Sequence, residues 1–135
     1  MAWTITPTID DRVSIKSPMG EKLVVVKLAC VADGSSSGEY DFTVPIMREI
    51  RGSWLYLVKF VPGTVGAAFE FDVWDKNDDL LLDTAANSNL ATSFVSGVDT
   101  LGVYPPVIHA LSVEIDGAPA MTNLDTLDIY MYFTK

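Results

Sequence analysis

The chain has 135 residues, 49% of them hydrophobic and 20% charged, which indicates one globular domain and excludes the disordered class. The net charge of −9 arises entirely after residue 65, where eleven acidic residues accompany only two lysines. Such a field repels phosphate, so we expect neither nucleic acid nor an anionic membrane among the partners. Cys30 is the single cysteine, which predicts a buried, inert thiol and assembly in a reducing cytoplasm, and no signal peptide is recognisable at the N-terminus.

The N-terminal part predicts short strands separated by turns. Residues 3–6 and 12–16 are candidate strands on either side of Pro7, and residues 1–9 are a candidate docking arm. Residues 21–32 are rich in valine, which favours a strand over a helix. Alternation in this strand predicts that Val24, Val26, Leu28 and Cys30 share one face.

A hairpin loop is predicted at residues 33–38, where glycine and serine dominate. The next strand alternates Tyr40, Phe42 and Val44 with polar residues. For residues 45–51, a helical turn and an irregular crossover both remain open.

Residues 52–61 form a strand that is apolar on both faces except at Lys59. Two apolar faces are typical of a central strand, or of one whose outer face meets another subunit. Strict alternation divides this strand into two sets, with Trp54, Tyr56, Val58 and Phe60 on one side and Leu55, Leu57 and Val61 on the other.

The clearest local pattern is a hairpin at residues 67–82, in which two strands flank an acidic turn at residues 75–79. In its first strand, alternation separates a buried set from an outer set: Phe69, Phe71 and Val73 against Glu70, Asp72 and Trp74.

Residues 83–97 lack this alternation and predict one short helix, with Ala85, Ala86 and Leu90 facing inward. The chain then predicts a second hairpin, with residues 107–115 and 124–134 as its arms and Asp116-Gly117 opening the connection. The last arm points Leu127, Ile129 and Met131 inward and Tyr130 and Tyr132 outward.

Many short strands with frequent turn signals predict an all-β fold. We expect residues 1–135 to form a single antiparallel β-sandwich or flattened barrel of about seven to eight strands with one short helical segment.

No pattern of catalytic residues accompanies this fold. His109 is the single histidine, so one chain cannot build a closed zinc site from cysteine and histidine. Asp75, Asn77 and Asp79 resemble the start of a calcium loop, but Leu80 stands where such a loop needs glycine. A weak cation there is the alternative to an ordinary turn. The acids otherwise lie at turns or on presumed wet faces, which disfavours glycoside hydrolysis, and we expect no enzyme, cofactor or metal.

Aromatic side chains are the better candidates for function, because tyrosine and tryptophan supply large, rigid contact area at interfaces. The alternative is that a second sheet or a loop covers them. The candidate interface residues are Trp3, Trp54, Tyr56, Trp74, Tyr130 and Tyr132.

The segment Phe71-Asp72-Val73-Trp74, with Asp78 and Leu80-Leu81 after it, resembles small structural proteins encoded near the capsid and head–tail genes of tailed bacteriophages. Asp78 stands where that pattern has glycine. The later matches are Asn87 and Asn89, the step Tyr104-Pro105-Pro106, and Ile115-Asp116-Gly117. The resemblance covers about the last two-thirds of the chain and implies a virion component without catalytic residues.

We therefore expect a non-enzymatic virion structural protein of a tailed phage. It would serve as a capsid cement or decoration protein, or as a component of the head–tail junction. Its expected partners are capsid or neck subunits and further copies of the chain, met during assembly in the bacterial cytoplasm. The alternative is a carbohydrate-binding module of a tail or fibre, since exposed aromatics beside carboxylates also suit sugars.

Overall fold

The structure is a computed structural model that describes residues 3–9, 23–33, 38–44, 50–64, 69–75, 80–83, 93–96, 107, 111–117 and 123–134. Regular structure within these ranges is all β and antiparallel, which confirms the predicted class. The described residues form nine strands, against the predicted seven or eight. They are β1 (Trp3–Ile9), β2 (Leu23–Asp33), β3 (Gly38–Val44), β4 (Trp54–Pro62), β5 (Phe69–Trp74), β6 (Leu80–Asp83), β7 (Ser93–Ser96), β8 (Leu111–Gly117) and β9 (Asn123–Thr134).

The strands form two sheets, one with the order β1-β2-β9-β4-β7 and the other with the order β3-β8-β5-β6. The hairpin of β5 and β6 is confirmed, with Asp72 opposite Asp83. The other two predicted hairpins are wrong, because β2 and β3 lie in different sheets, and so do β8 and β9. Asp116-Gly117 accordingly belongs to β8 instead of opening a turn.

The inner faces of both sheets contribute to one apolar cluster. Phe60 of β4 meets Phe71 of β5 edge to face, with ring centroids 5.5 Å apart and planes inclined by 75°. The predicted shared face of β2 and the predicted inward face of β9 are confirmed, since the alternate residues of both strands are buried. These residues are Val24, Val26, Leu28 and Cys30 in β2, and Leu127, Ile129, Met131 and Phe133 in β9.

The predicted faces of β4 are wrong because a β-bulge interrupts the strand. Leu55 pairs with Phe133, but the next pair is Leu57 with Tyr132, which leaves Tyr56 as the additional residue. A bulge shifts the alternation by one position. Leu55, Val58 and Phe60 are therefore the buried residues of this strand. The prediction of a central strand is confirmed, since β4 lies between β9 and β7.

At the N-terminus, β1 is longer than predicted because it continues through Pro7 to Ile9. Proline is tolerated there because β1 is an edge strand, with β2 as its one neighbour in the sheet. Residues 3–9 of the candidate docking arm are thus paired with β2 along their whole length. A docking role for this segment stays a prediction.

The described residues contain no helix. Asp83 ends β6 and Ser93–Ser96 form β7, so these parts of the predicted helical segment are extended instead. Residues 84–92 lie outside the described residues, as do residues 12–16, His109, Asn77–Asp79 of the acidic turn, and residues 104–106.

Two connections to β4 are held by backbone hydrogen bonds. Before the strand, Gly52 donates to the Val107 carbonyl at 2.9 Å, and Val107 donates to the Ser53 carbonyl at 2.8 Å. After the strand, Gly63 donates to the Thr126 carbonyl at 3.0 Å. Thr64 and Thr126 then bond reciprocally, each backbone N–H donating to the other's hydroxyl at 3.2 and 3.0 Å. These bonds tie the start of β9 to the end of β4.

Candidate interaction surface

The outer face of the five-stranded sheet carries an ordered set of side chains at its centre. Because opposed residues in antiparallel strands share a face, the register defines two cross-strand rows. One row runs Lys27, Tyr130, Lys59, and the next runs Val25, Tyr132, Leu57. We call this surface the lysine–tyrosine face and define it by Lys27, Leu57, Lys59, Asp128, Tyr130 and Tyr132.

Tyr130 lies between two cations. The Nζ atoms of Lys27 and Lys59 are each 5.7 Å from the centroid of its ring. Lys27 also forms an ion pair with Asp128, whose Oδ2 is 3.6 Å from its Nζ. A cation over an aromatic ring contributes about 0.5–1 kcal/mol at an exposed site. The two lysines therefore hold the Tyr130 ring in place and give the centre of the face a positive charge.

The remainder of the face is apolar. Val25 is only 1% exposed, although it is not a member of the core cluster. Leu57 and Tyr132 are half-buried beside it. Among the described residues, Trp54 stands out as an exposed large hydrophobic side chain, with 47% of its surface accessible. Apolar area with a few fixed charges is the composition of a contact surface.

The structure brings together three of the six predicted interface residues. Tyr130 and Tyr132 lie side by side on β9, and Trp54 is opposite Thr134 at the edge of the same face. Tyr56 is the bulge residue of the same strand as Trp54 and is half-buried.

Trp74 and Trp3 lie elsewhere. Trp74 belongs to the four-stranded sheet, is partly buried, and has an indole Nε1 that is buried without a hydrogen-bond partner in the described part of the chain. Trp3 is the register partner of Ala32 in β1. That these aromatics act as an interface stays a prediction.

The contribution of Lys27 and Lys59 was not predicted from the sequence. The signal was present, because each is a lone lysine within a strand of apolar residues. A charged residue in such a strand marks the face that points to solvent. Their meeting across Tyr130 required the strand order, in which β9 lies between β2 and β4.

The four-stranded sheet carries the opposite charge. Its strands contain seven acidic residues and neither lysine nor arginine. In the register these acids form two rows, Glu39, Asp116, Glu70 and Asp41, Glu114, Asp72, Asp83. Glu70 and Glu114 are half-buried and Asp72 is 8% exposed. We call this set of seven residues the acidic face.

Cys30 takes no part in either face. Burial raises the pKa of its thiol to about 12, with a smaller contribution from the negative charge of Asp128. The Sγ atom lies 3.6 Å from the Leu28 carbonyl oxygen and is enclosed in the core. A thiol in this state is neutral at physiological pH and a poor nucleophile.

The described part of the chain contains neither a metal-binding cluster nor a membrane-spanning helix. Within it, His, Cys, Asp and Glu side chains do not form a group of three or more arranged to hold a metal ion. Of the weak cation site considered as an alternative to an ordinary turn, Asp79 lies outside this part. The same residues include no helix that is both long and apolar enough to span a bilayer.

No protein-family model matches the sequence, and no curated protein matches it. Among solved structures, the chain is similar to the enzymatically active domain of tailspike protein 4 from bacteriophage CBA120, at 12% identity and a TM-score of 0.40. It is also similar to CapF crystallised with 3-isopropenyl-tropolone, at 14% identity and a TM-score of 0.27. The matches cover 96% of this chain but only 19% and 30% of those chains. TM-scores this low establish no shared fold, so neither protein's activity is transferred.

Proposed function

We propose that this protein is a non-enzymatic structural component of a tailed-phage virion, either a capsid cement or decoration protein or a part of the head–tail junction. It acts by protein–protein contact, and its partners are capsid or neck subunits. The observation that carries the proposal is the lysine–tyrosine face, where half-buried tyrosines and the exposed Trp54 lie on a regular sheet. The resemblance of residues 71–81 to phage structural proteins supports it independently.

The mechanism follows from rigidity. In this proposal the two sheets pack as a β-sandwich around their shared core, so the outer face presents its side chains in fixed positions. Tyr130 loses little rotamer freedom on binding because two lysines already hold its ring. An interface of standard size, about 1,600 Å² in total, gains most of its energy from a few such anchors. Repeated copies on a symmetric particle multiply each weak contact.

The test is incorporation into particles. In a phage whose copy of the gene is deleted, tagged variants are supplied from a plasmid, and the protein in gradient-purified particles is quantified by immunoblot. We expect the variant with both Tyr130→Ala and Tyr132→Ala to remain folded. Its amount in particles should fall below about one-tenth of the normal level, because two interface anchors are lost.

The matched control is Tyr130→Phe combined with Tyr132→Phe, which keeps both rings and should be incorporated normally. Absence of the unaltered protein from particles would contradict the proposed function. Normal incorporation of the double alanine variant would contradict the assignment of the face.

A second candidate is carbohydrate binding. The observation in its favour is that Tyr130 and Trp54 are accessible on a sheet surface that also offers the charged groups of Lys59 and Asp128. Sugars stack on aromatic rings and bond to such groups at their edges. A glycan array read at millimolar sensitivity distinguishes the candidates, since specific binding that Tyr130→Ala abolishes would favour the carbohydrate module.

A further inference from the structure

The lysine–tyrosine face differs in charge from the chain as a whole. Two copies of a chain with a net charge of −9 repel each other over long range. This face instead carries two cations and one anion, because Lys27 and Lys59 flank Tyr130 and Asp128 precedes it by two residues on β9. Strands β1, β4 and β7 of the same sheet contain no acidic residue. Copies can therefore approach each other by this surface against little local repulsion.

Charges of both signs on this face are accessible. The Lys27 Nζ and Asp128 Oδ2 atoms are 3.6 Å apart, and the two side chains are 35% and 36% exposed. An ion pair this exposed adds little stability, so its members can also meet charges of another molecule at little cost. On either side of Asp128 the face is small and apolar, with half-buried Ala29 opposite it in β2 and half-buried Val61 opposite it in β4.

The arrangement is complementary to itself. Asp128 and Tyr130 lie in successive outward rows, which are about 7 Å apart along a strand. Consider a two-fold axis that lies in the contact plane and crosses β9 midway between these rows. It places the Asp128 carboxylate of one copy above the Tyr130 ring of the other. Lys27 and Lys59 of that second copy then stand on the two sides of the carboxylate, and the reverse contact is identical.

The same axis brings apolar atoms together. It places Lys27 over Ala29 of the second copy and Lys59 over Val61, so each lysine's methylene chain covers a small apolar side chain. An acidic partner would attract the lysines but would meet Asp128 with a like charge, and a basic partner would do the reverse. A second copy of the chain matches both signs at once.

We propose that two copies of the chain bind each other through their lysine–tyrosine faces about this two-fold axis. Each copy uses the same surface, so the contact is closed and assembly by it stops at the dimer. The inference goes beyond the proposed function and does not rest on it. A capsid or neck subunit that binds this face competes with the second copy, so the dimer is the form of the free protein.

The experiment is sedimentation velocity of the purified protein at concentrations up to about 0.5 mM, above the Kd of a weak specific contact. The salt concentration is about 150 mM, because a Debye length of about 8 Å screens distant like charges more than charges in contact. We expect a monomer–dimer equilibrium without larger species. Asp128→Asn should weaken it by about tenfold or more, because the two-fold axis makes one substitution remove two contacts.

Exchanging the charges tests the geometry. Asp128→Lys, and separately Lys27→Glu with Lys59→Glu, should each abolish the dimer because like charges then meet. An equimolar mixture of these two variants should form a one-to-one dimer, since every charge at position 128 again lies between charges of opposite sign. The triple variant, which carries all three substitutions in one chain, should dimerise with itself for the same reason.

Controls separate specific contact from net charge and from misfolding. Arg51→Glu, in the turn before β4, and Thr43→Lys, in β3 of the other sheet, alter exposed positions away from the contact and should leave the dimer unchanged. Circular dichroism verifies the fold of every variant, and recovery of the dimer in the mixture shows that neither variant lost it by misfolding.

Three results would overturn the proposal. These are an unaltered chain that stays monomeric over the whole concentration series, an unaltered chain that forms species larger than a dimer, and a mixture of the two charge variants that forms no complex. Incorporation into particles without a dimer would leave only the proposed function standing. A dimer of a protein that is absent from particles would leave only this contact standing.

Discussion

Replacing Glu70 by lysine should stabilise the monomer, although charge reversals on a protein surface are usually neutral or harmful. Glu70 is directly opposite Asp116, which in turn is opposite Glu39. The substitution converts a like-charged cross-strand pair into an oppositely charged one.

The magnitude follows from pair energies of about 0.2–1 kcal/mol for each sign, so the free energy of unfolding should rise by about 0.5–2 kcal/mol. For a chain of this length that corresponds to about 2–8 °C in Tm. Glu70→Gln removes the repulsion without adding attraction and should give about half of the gain.

The assay is thermal unfolding at low ionic strength, at a protein concentration where sedimentation shows monomers only. Thr43→Lys is the matched control for Glu70→Gln, because it changes the net charge equally but lies opposite Ser112. The gain of Glu70→Lys should shrink at about 1 M salt, where the Debye length is about 3 Å. The reasoning from cross-strand rows would be refuted if the Tm of Glu70→Lys were at or below that of the unaltered chain. It would also be refuted if Thr43→Lys gave the same gain as Glu70→Gln.

Three further outcomes are expected. Gly63→Ala should lower the free energy of unfolding by about 1–3 kcal/mol, because its methyl group would overlap the Thr126 hydroxyl; Thr126→Ala should recover part of this in a denaturant double-mutant cycle, and additive losses would exclude the overlap. The folded-state pKa of Cys30 is about 12 against 9.0 for the free thiol, so its contribution to stability is intact below pH 9 and is lost as the pH rises toward 12. At about pH 10.5 the Cys30→Ala variant should therefore have lost about 2 kcal/mol less of its free energy of unfolding than the unaltered chain. Parallel profiles of unfolding free energy against pH would contradict this. Tyr130→Leu and Lys27→Met should show a coupling of about 0.5–1 kcal/mol, and zero coupling would argue against the cation–ring contact.

The strand faces were largely predictable from sequence, whereas the strand partners were not. Alternation identified Leu127, Ile129 and Met131 as inward because burial alone determines that pattern. It contains no information about which sheet a strand joins, and so β8 and β9 were wrongly paired as a hairpin.

The β4 bulge shows a second limit. Each residue from 54 to 61 is apolar or aromatic except Lys59, so nothing in the local composition marks Tyr56 as an additional residue. The candidate surface was predicted only in part, because the pattern within one strand does not show which strands are its neighbours. Tyr130 and Tyr132 were found by parity, but the two lysines that flank Tyr130 come from strands distant in sequence.

The position of β9 has a consequence for synthesis. This strand joins β2 and β4 at the middle of the larger sheet, although both of those strands leave the ribosome long before it. In the nascent polypeptide, the apolar strands β2 and β4 must therefore remain without their shared neighbour until β9 emerges. Contacts of such long sequence separation form slowly. Translation that stops before residue 123 yields a chain that lacks Tyr130 and Tyr132 of the lysine–tyrosine face and has unpaired strand edges. Such fragments are expected to be substrates for chaperones and proteases, so defective copies would be removed before they could compete with complete ones.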